Sequence, residues 1–207
     1  KRLTSMRLAA QKISVDRAGR RIVDRVDFTL SDGEAVIVAG PNGAGKSTLL
    51  RAIAGLLPIV EGALTLDGEA DEIAQALHYV GHSEGMKPSL TVRENLDFWG
   101  SFLARDGAKG RAPADALGAF GLAHVLDIPA AYLSAGQKRR AALARLLVAP
   151  RPIWLLDEPT TALDVRAQDA LAQVMAEHRA GGGMVMAATH APVGLEGAAE
   201  LRLGVAA

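Results

Sequence analysis

A glycine-rich loop near residue 40 carries the first residues of this sequence that could do chemistry. Residues 40–47 fit the pattern G-x-x-x-x-G-K-[ST], directly after a short apolar run and at the start of a helical pattern. In such a loop, backbone N–H groups cradle phosphates, the lysine places a positive charge beside them and the hydroxyl holds Mg²⁺. This phosphate loop and the threonine after it comprise Gly40, Pro41, Asn42, Gly43, Ala44, Gly45, Lys46, Ser47 and Thr48. The pattern predicts a nucleotide site.

Two adjacent acids, Asp157 and Glu158, follow a second apolar run at residues 153–156. The carboxyl end of such a strand lies beside the phosphate loop in sheets of this kind. Asp157 there suits the Mg²⁺ shell, and Glu158 suits the water that attacks a γ-phosphate. This acidic pair therefore predicts hydrolysis as well as binding.

A third segment, residues 133–137, opens a strongly helical stretch. Ser134 is a favourable N-cap, and the free N–H groups of the first helical turn can face an anion. Taken by itself, the segment fits an ordinary helix cap.

The order of the elements determines where these segments lie. Residues 7–14 and 22–30 alternate and predict antiparallel strands. Further strands are predicted at residues 35–39, 64–66, 76–80, 153–156 and 184–188, and helices at 47–57, 92–104, 113–119, 134–147 and 165–179. This alternation predicts an α/β fold with a mostly parallel sheet, an antiparallel β subdomain and a helical insertion at about residues 84–135. We expect one domain over residues 1–207.

Composition excludes several classes of function. The 207 residues include 23 Lys plus Arg and 23 Asp plus Glu, so no basic field favours nucleic acid as a partner. The absence of cysteine excludes disulfides, a thiolate nucleophile and a cysteine zinc site. No secretory signal and no spanning apolar run is found, so we expect membrane contact to go through other subunits.

Five motifs in this order resemble those of the ATP-binding cassette (ABC) family. They are the phosphate loop, an L-S-G-G-Q signature matched by residues 133–137, a D-E pair matched by the acidic pair, an S-A-L-D loop matched by residues 161–164 and a switch histidine matched by His190. We call residues 133–137 the signature segment. The resemblance spans nearly the whole chain and implies a P-loop NTPase of ABC type that hydrolyses ATP with Mg²⁺.

The resemblance also implies a homodimer that encloses ATP head to tail, between the phosphate loop of one copy and the signature segment of the other. The residues expected to act across this dimer are Ser134, Ala135, Gly136, Gln137 and Asp164. Within one copy, Glu158 is expected to serve hydrolysis and His190 to sense the γ-phosphate.

Two positions depart from the family pattern. Arg17 stands where an aromatic residue often stacks on adenine; a guanidinium can also stack on a base, and a solvated turn arginine is the alternative. His82 stands where a glutamine usually reaches Mg²⁺ and the attacking water. A neutral imidazole can ligate a metal or accept a hydrogen bond from water, so His82 is an expected catalytic and metal-binding residue; a solvated hinge histidine is the alternative.

Gly81-His82, the arginine-rich stretch after the signature segment and the short C-terminus resemble the haem-handling cytochrome c maturation branch of the family. This implies integral membrane subunits of a cytochrome c maturation complex as partners, contacting the insertion near residues 84–95. It also implies a place at the cytoplasmic face of a bacterial inner membrane. Two alternatives stay open: an ATP-driven module that releases a partner and moves no solute, and a soluble ABC ATPase.

Overall fold

The computed structural model describes residues 6–67, 73–104 and 110–204. Its strands are β1 (Arg7–Arg17), β2 (Arg20–Ser31), β3 (Ala35–Ala39), β4 (Glu61–Leu66), β5 (Leu77–Val80), β6 (Ile153–Asp157), β7 (Met184–Ala188) and β8 (Ala199–Arg202). Its α-helices are α1 (Lys46–Ile53), α2 (Ile73–Ala76), α3 (Val92–Phe102), α4 (Pro113–Gly118), α5 (Ala135–Val148) and α6 (Val165–Ala180). Two short 3₁₀ helices, Ala123–Val125 and Ala130–Tyr132, lie between α4 and α5. Both ends of the predicted domain, residues 1 and 207, lie outside the described residues.

A parallel sheet forms the centre of the fold, with strand order β5-β6-β7-β3-β8. Every pair of neighbouring strands in it is parallel. All residues of β6 and β7 are buried, which explains why both strands read as continuous apolar runs. The carboxyl ends of β3 and β6 therefore open on one edge of the sheet, with β7 between them.

A second sheet is antiparallel, with strand order β2-β1-β4. The pairing of β1 with β2 shifts register at bulges, and Lys12 and Arg25 stand at these shifts with positive φ. The bulges increase the local twist, so the long strands β1 and β2 curve instead of continuing straight.

Two hydrophobic cores cover the two faces of the parallel sheet. Alternate residues of β6 point in opposite directions, so Ile153 and Leu155 belong to one core and Trp154 and Leu156 to the other. The first core also contains the inner face of the antiparallel sheet and α1. The second contains α5, one face of α6 and the helical segment between α3 and the signature segment. The helical insertion thus packs on the sheet face opposite α1.

The predicted α/β fold class is confirmed, and several elements differ from the expectations. Helix α1 ends at Ile53, before the predicted residue 57, and β1 extends to Arg17, beyond the predicted residue 14. Strand β8 was not predicted, because three of its four residues are exposed and two, Glu200 and Arg202, are charged. Strand β4 begins at Glu61, earlier than the predicted start at residue 64. Ala76 ends the short helix α2 and does not begin a strand. Among the described residues, no helix is long and apolar enough to cross a membrane.

Candidate nucleotide-binding and hydrolysis site

The phosphate loop connects the end of β3 to the first residue of α1. Gly40 and Gly45 both have positive φ, 147° and 98°, a region that favours glycine. A Cβ at Gly40 would lie 2.5 Å from the carbonyl oxygen of Leu203, so a larger residue would displace the loop from the strand beside it. The Lys46 ammonium donates to the carbonyl oxygens of Gly40 at 2.8 Å and Pro41 at 3.3 Å. The loop therefore folds around its own lysine.

Ser47 and Asp157 meet between the start of α1 and the end of β6. The Ser47 hydroxyl donates to Asp157 Oδ1 at 2.8 Å, and the Tyr79 hydroxyl donates to Asp157 Oδ2 at 3.3 Å. Asp157 is only 3% exposed, while burial raises the pKa of Tyr79 and keeps its phenol protonated as a donor. Hydroxyl and carboxylate oxygens are hard ligands of the kind that Mg²⁺ prefers, so this pair fits the ion that accompanies a nucleotide.

Glu158 follows with a backbone conformation unusual for its residue type. Its φ is 46°, in the left-handed region that costs a non-glycine residue about 1–2 kcal/mol. The Glu158 N–H donates to the carbonyl of Ala188 at 2.8 Å, which ties this turn to the end of β7. The carboxylate lies 3.1 Å from Nδ1 of His190. The structure thus brings Glu158 and His190 together at the sheet edge.

A cleft of about 390 Å³ lies over the phosphate loop. Its lining residues are Arg17, Ile22, Asn42, Gly43, Gly45, Lys46, Ser47, Thr48 and Glu158. Arg17 ends β1, so the hairpin of the antiparallel sheet carries it to the same cleft as the phosphate loop and Glu158. Ile22 and, behind the cleft, Tyr79 were not predicted from the sequence. Neither belongs to a local motif, and both reach the site through sheet packing.

The signature segment lies apart from this cleft. Ser134 caps α5 by accepting from the Gln137 N–H at 3.2 Å, and the Gln137 side chain accepts from the Ser134 N–H at 2.9 Å. Ser134 and Ala135 are exposed, and a Cβ at Gly136 would lie 3.0 Å from the Ala162 carbonyl oxygen. None of these residues lines the cleft of their own copy.

Asp164 and His82 also stand outside the cleft. Asp164 caps α6, where it accepts from the Ala167 N–H at 2.8 Å. His82 follows β5 and is exposed, and within the described ranges its ring forms no hydrogen bond to Ser47 or Asp157. The structure therefore does not join His82 to the oxygens that would hold a metal ion.

The sheet order, the loop between β3 and α1 and the acidic pair at the end of β6 define an ABC-type nucleotide-binding domain. The family described as "ABC transporter" matches residues 23–161. That match covers more than half of the chain, which belongs to the ABC transporter family.

Within that family, the chain is similar to the cytochrome c biogenesis ATP-binding export protein CcmA. It is 51% identical to CcmA of Nitrobacter winogradskyi, over 98% of this chain and 100% of that protein. It is 52% identical to CcmA of Rhodopseudomonas palustris, with the same two coverages. A bacterial Atm1-family ABC exporter solved with ATP bound aligns with a TM-score of 0.83 and 25% identity, over 98% of this chain and 38% of the exporter chain. The predicted family and the predicted resemblance within it are both confirmed.

Proposed function

We propose that this protein is the ATP-hydrolysing subunit of a membrane ABC complex that serves the maturation of c-type cytochromes. The observation that carries the hydrolytic part is the Ser47–Asp157 hydrogen bond of 2.8 Å, which joins the phosphate loop to the acidic pair. The relatives' name supports the biological role, since they are called cytochrome c biogenesis ATP-binding export proteins. The proposed location is the cytoplasmic face of a bacterial inner membrane.

Residues of one copy would bind and orient ATP. The amides of the phosphate loop and the Lys46 ammonium would hold the β- and γ-phosphates, and phosphate oxygens would replace the carbonyls that Lys46 contacts here. Thr48 in the first turn of α1 supports the same end of the cleft. Arg17 would stack its guanidinium on the adenine. Ser47 and Asp157 would hold Mg²⁺, which when bound neutralises charge on the phosphates.

Glu158 would accept a proton from the attacking water, and His190 would respond to the γ-phosphate. Their 3.1 Å contact supports both roles, since it places the His190 ring beside the carboxylate of Glu158, which lines the cleft. The proposed role of His82 at the water and metal requires its exposed ring to turn toward the site.

The site would be completed by a second copy, in a head-to-tail homodimer with one ATP at each junction. The exposed start of α5 supports this proposal, because its free N–H groups can meet a phosphate that their own copy does not bind. Ser134, Ala135, Gly136, Gln137 and Asp164 would serve the partner's nucleotide. We also propose that the chain is one domain, since the helical insertion shares its core with the parallel sheet.

Integral membrane subunits would rest on the helical insertion near residues 84–95, beside His82. Two large exposed side chains, Phe98 and Phe102, continue this surface along α3, with exposed fractions of 55% and 67%. A membrane subunit placed there would follow movement of the insertion when the nucleotide changes.

A deletion strain tests the proposal. Cells without the gene should lose c-type cytochromes and keep b-type cytochromes, and the wild-type gene should restore the former while a Lys46→Ala gene should not. Normal c-type maturation in the deletion strain would contradict the biological role. Separately, the purified complex should hydrolyse ATP, and a wild-type complex without ATPase activity would contradict the hydrolytic role. In sealed vesicles that contain the complex, transfer of haem across the membrane would indicate export. Release of a protein partner without transfer of haem would indicate the alternative function.

A further inference from the structure

Arg139 is a buried cation directly behind the acidic pair. It lies one turn into α5 and is 4% exposed. Its guanidinium donates to four backbone carbonyls: Gly81 at 2.7 Å, Asp157 at 2.9 Å, Glu158 at 2.7 Å and Pro159 at 3.4 Å. One side chain therefore joins the signature helix to the ends of two neighbouring strands.

Each of these carbonyls belongs to a segment that must be placed accurately. Gly81 immediately precedes His82, and the carbonyl of Glu158 belongs to the residue with φ of 46°. A strained conformation persists only where its surroundings hold it, and here the Glu158 N–H bonds to Ala188 while its carbonyl bonds to Arg139. The guanidinium thus holds the carbonyl of Glu158, while the end of β7 holds its N–H.

Arg139 is held by backbone oxygens alone, since it forms no ion pair with any described carboxylate. Burial lowers the pKa of Arg139, against the opposing charges of Glu84 and Asp157. Burying a cation is costly unless its donors are used, and charged donors make the stronger hydrogen bonds to carbonyls. The planar guanidinium of arginine can donate in fixed directions to several carbonyls at once, whereas the ammonium of lysine is a compact charge without that planar geometry.

We propose that Arg139 is a positioning residue for hydrolysis: it holds the Glu158 backbone and the segment before His82 in fixed register on the signature helix α5. The inference rests on the proposed ATPase function. It places the effect within one copy, on that copy's own Glu158. In the head-to-tail dimer, Arg139 would then link the signature segment that serves the partner's nucleotide to the acidic pair that serves its own.

Arg139→Gln tests this role, with Arg139→Lys as a variant that keeps the buried charge. In the purified complex, Arg139→Gln should lower kcat by roughly tenfold to a hundredfold, the loss expected from misplacing a reacting group by about 1 Å. The affinity for ATP should stay within about twofold, because Lys46 and the loop amides are untouched. The kcat of Arg139→Lys should lie between the kcat of Arg139→Gln and that of the wild type. Lys138→Gln removes the neighbouring charge of α5 and should leave kcat unchanged.

Different results would contradict the positioning role of Arg139 and the proposed ATPase function. A wild-type kcat in Arg139→Gln, or a parallel loss of kcat and ATP affinity, would overturn the positioning role. A wild-type complex that hydrolyses no ATP would instead overturn the proposed function, and hydrogen exchange then decides the role of Arg139. Amides at residues 82–84 and 158–161 should exchange faster in Arg139→Gln, with those of β1 unchanged; unaltered exchange at both segments refutes the inference.

Mixed dimers locate the effect. When one copy carries Glu158→Gln, only the other copy hydrolyses ATP. Arg139→Gln in the hydrolysing copy should reproduce the fall in kcat. The copy that carries Glu158→Gln supplies only its signature segment to the active junction. Adding Arg139→Gln to that copy should therefore change kcat by less than about twofold. The reverse pattern would show that Arg139 acts through the signature segment, and would overturn the proposal.

Discussion

A buried histidine, His78, and a half-buried one, His178, should make the fold sensitive to mild acid. His78 in β5 is 2% exposed, and His178 in α6 stacks on Trp154 with ring centroids 3.7 Å apart. Burial, reinforced by the positive charges of Arg145 and Arg151, lowers the pKa of His78 from 6.5 to about 3. Burial lowers the pKa of His178 from 6.5 to about 4. Both side chains are therefore neutral in the folded protein at pH 5 and protonated in the unfolded chain.

The sign and size of the effect follow from this difference. Below pH 6.5 the unfolded chain binds protons that the folded protein does not, so the free energy of unfolding decreases as pH falls toward the two folded-state pKa values. Between pH 8 and pH 5, each histidine should lower the free energy of unfolding by about 2 kcal/mol, because the loss is about 1.36 kcal/mol for each pH unit below 6.5. Because the His178 ring is partly open to solvent, its share is an upper value. The combined loss of about 4 kcal/mol is large beside the roughly 5–15 kcal/mol typical of a folded domain.

Urea unfolding followed by circular dichroism at pH 8 and pH 5, without nucleotide, measures this loss. His178→Gln removes one titrating ring and keeps an N–H donor for the Pro152 carbonyl, which lies 3.2 Å from His178 Nε2. Its loss between the two pH values should be about half that of wild type, whatever its stability at pH 8. His124→Gln is the matched control, because His124 is exposed in the folded protein as in the unfolded chain. The His124→Gln variant should therefore lose as much unfolding free energy between pH 8 and pH 5 as the wild type.

A wild-type loss of less than about 1 kcal/mol between pH 8 and pH 5 would contradict the prediction, since either histidine alone should exceed that value. An equal loss in His178→Gln and wild type would exclude His178 as a source of the effect.

Three further predictions concern the proposed site. Lys46→Ala should weaken ATP binding by at least about tenfold in a fluorescent-nucleotide titration, because a charged hydrogen bond contributes about 1.5–3 kcal/mol; unchanged binding would exclude the lysine from the phosphate site. Glu158→Gln should bind ATP without turnover and sediment as a stable dimer with ATP, whereas turnover at the wild-type rate would exclude Glu158 as the base. His82→Gln should retain much of the ATPase activity and His82→Ala should lose it, and equal activity of the two variants would remove His82 from the mechanism.

Contiguous segments were the parts of the site that sequence could predict. The phosphate loop runs directly from β3 into α1, so a single pattern contains the strand, the glycines and the lysine. The acidic pair follows its apolar strand in the same way. For both segments, local order along the chain already determines which residues face the sheet edge.

Contacts between distant segments were not predictable in this way. Tyr79 reaches Asp157 because β5 pairs with β6, although 78 positions separate the two residues. Arg139 belongs to the arginine-rich stretch after the signature segment, and only the packing of α5 on the sheet shows that it is buried. Strand β8 is recognisable through its pairing with β3, since its own residues carry no apolar run.

The position of β3 in the sheet has a consequence for synthesis of the protein on the ribosome. Its two neighbours, β7 and β8, are the last strands described, and the Leu203 N–H donates to the Ala39 carbonyl at 2.8 Å beside the phosphate loop. The loop is thus translated early but is supported by strands translated late. A nascent chain that ends before residue 184 has neither neighbour of β3, so we expect the phosphate loop to reach its final conformation only after β7 and β8 have joined the sheet.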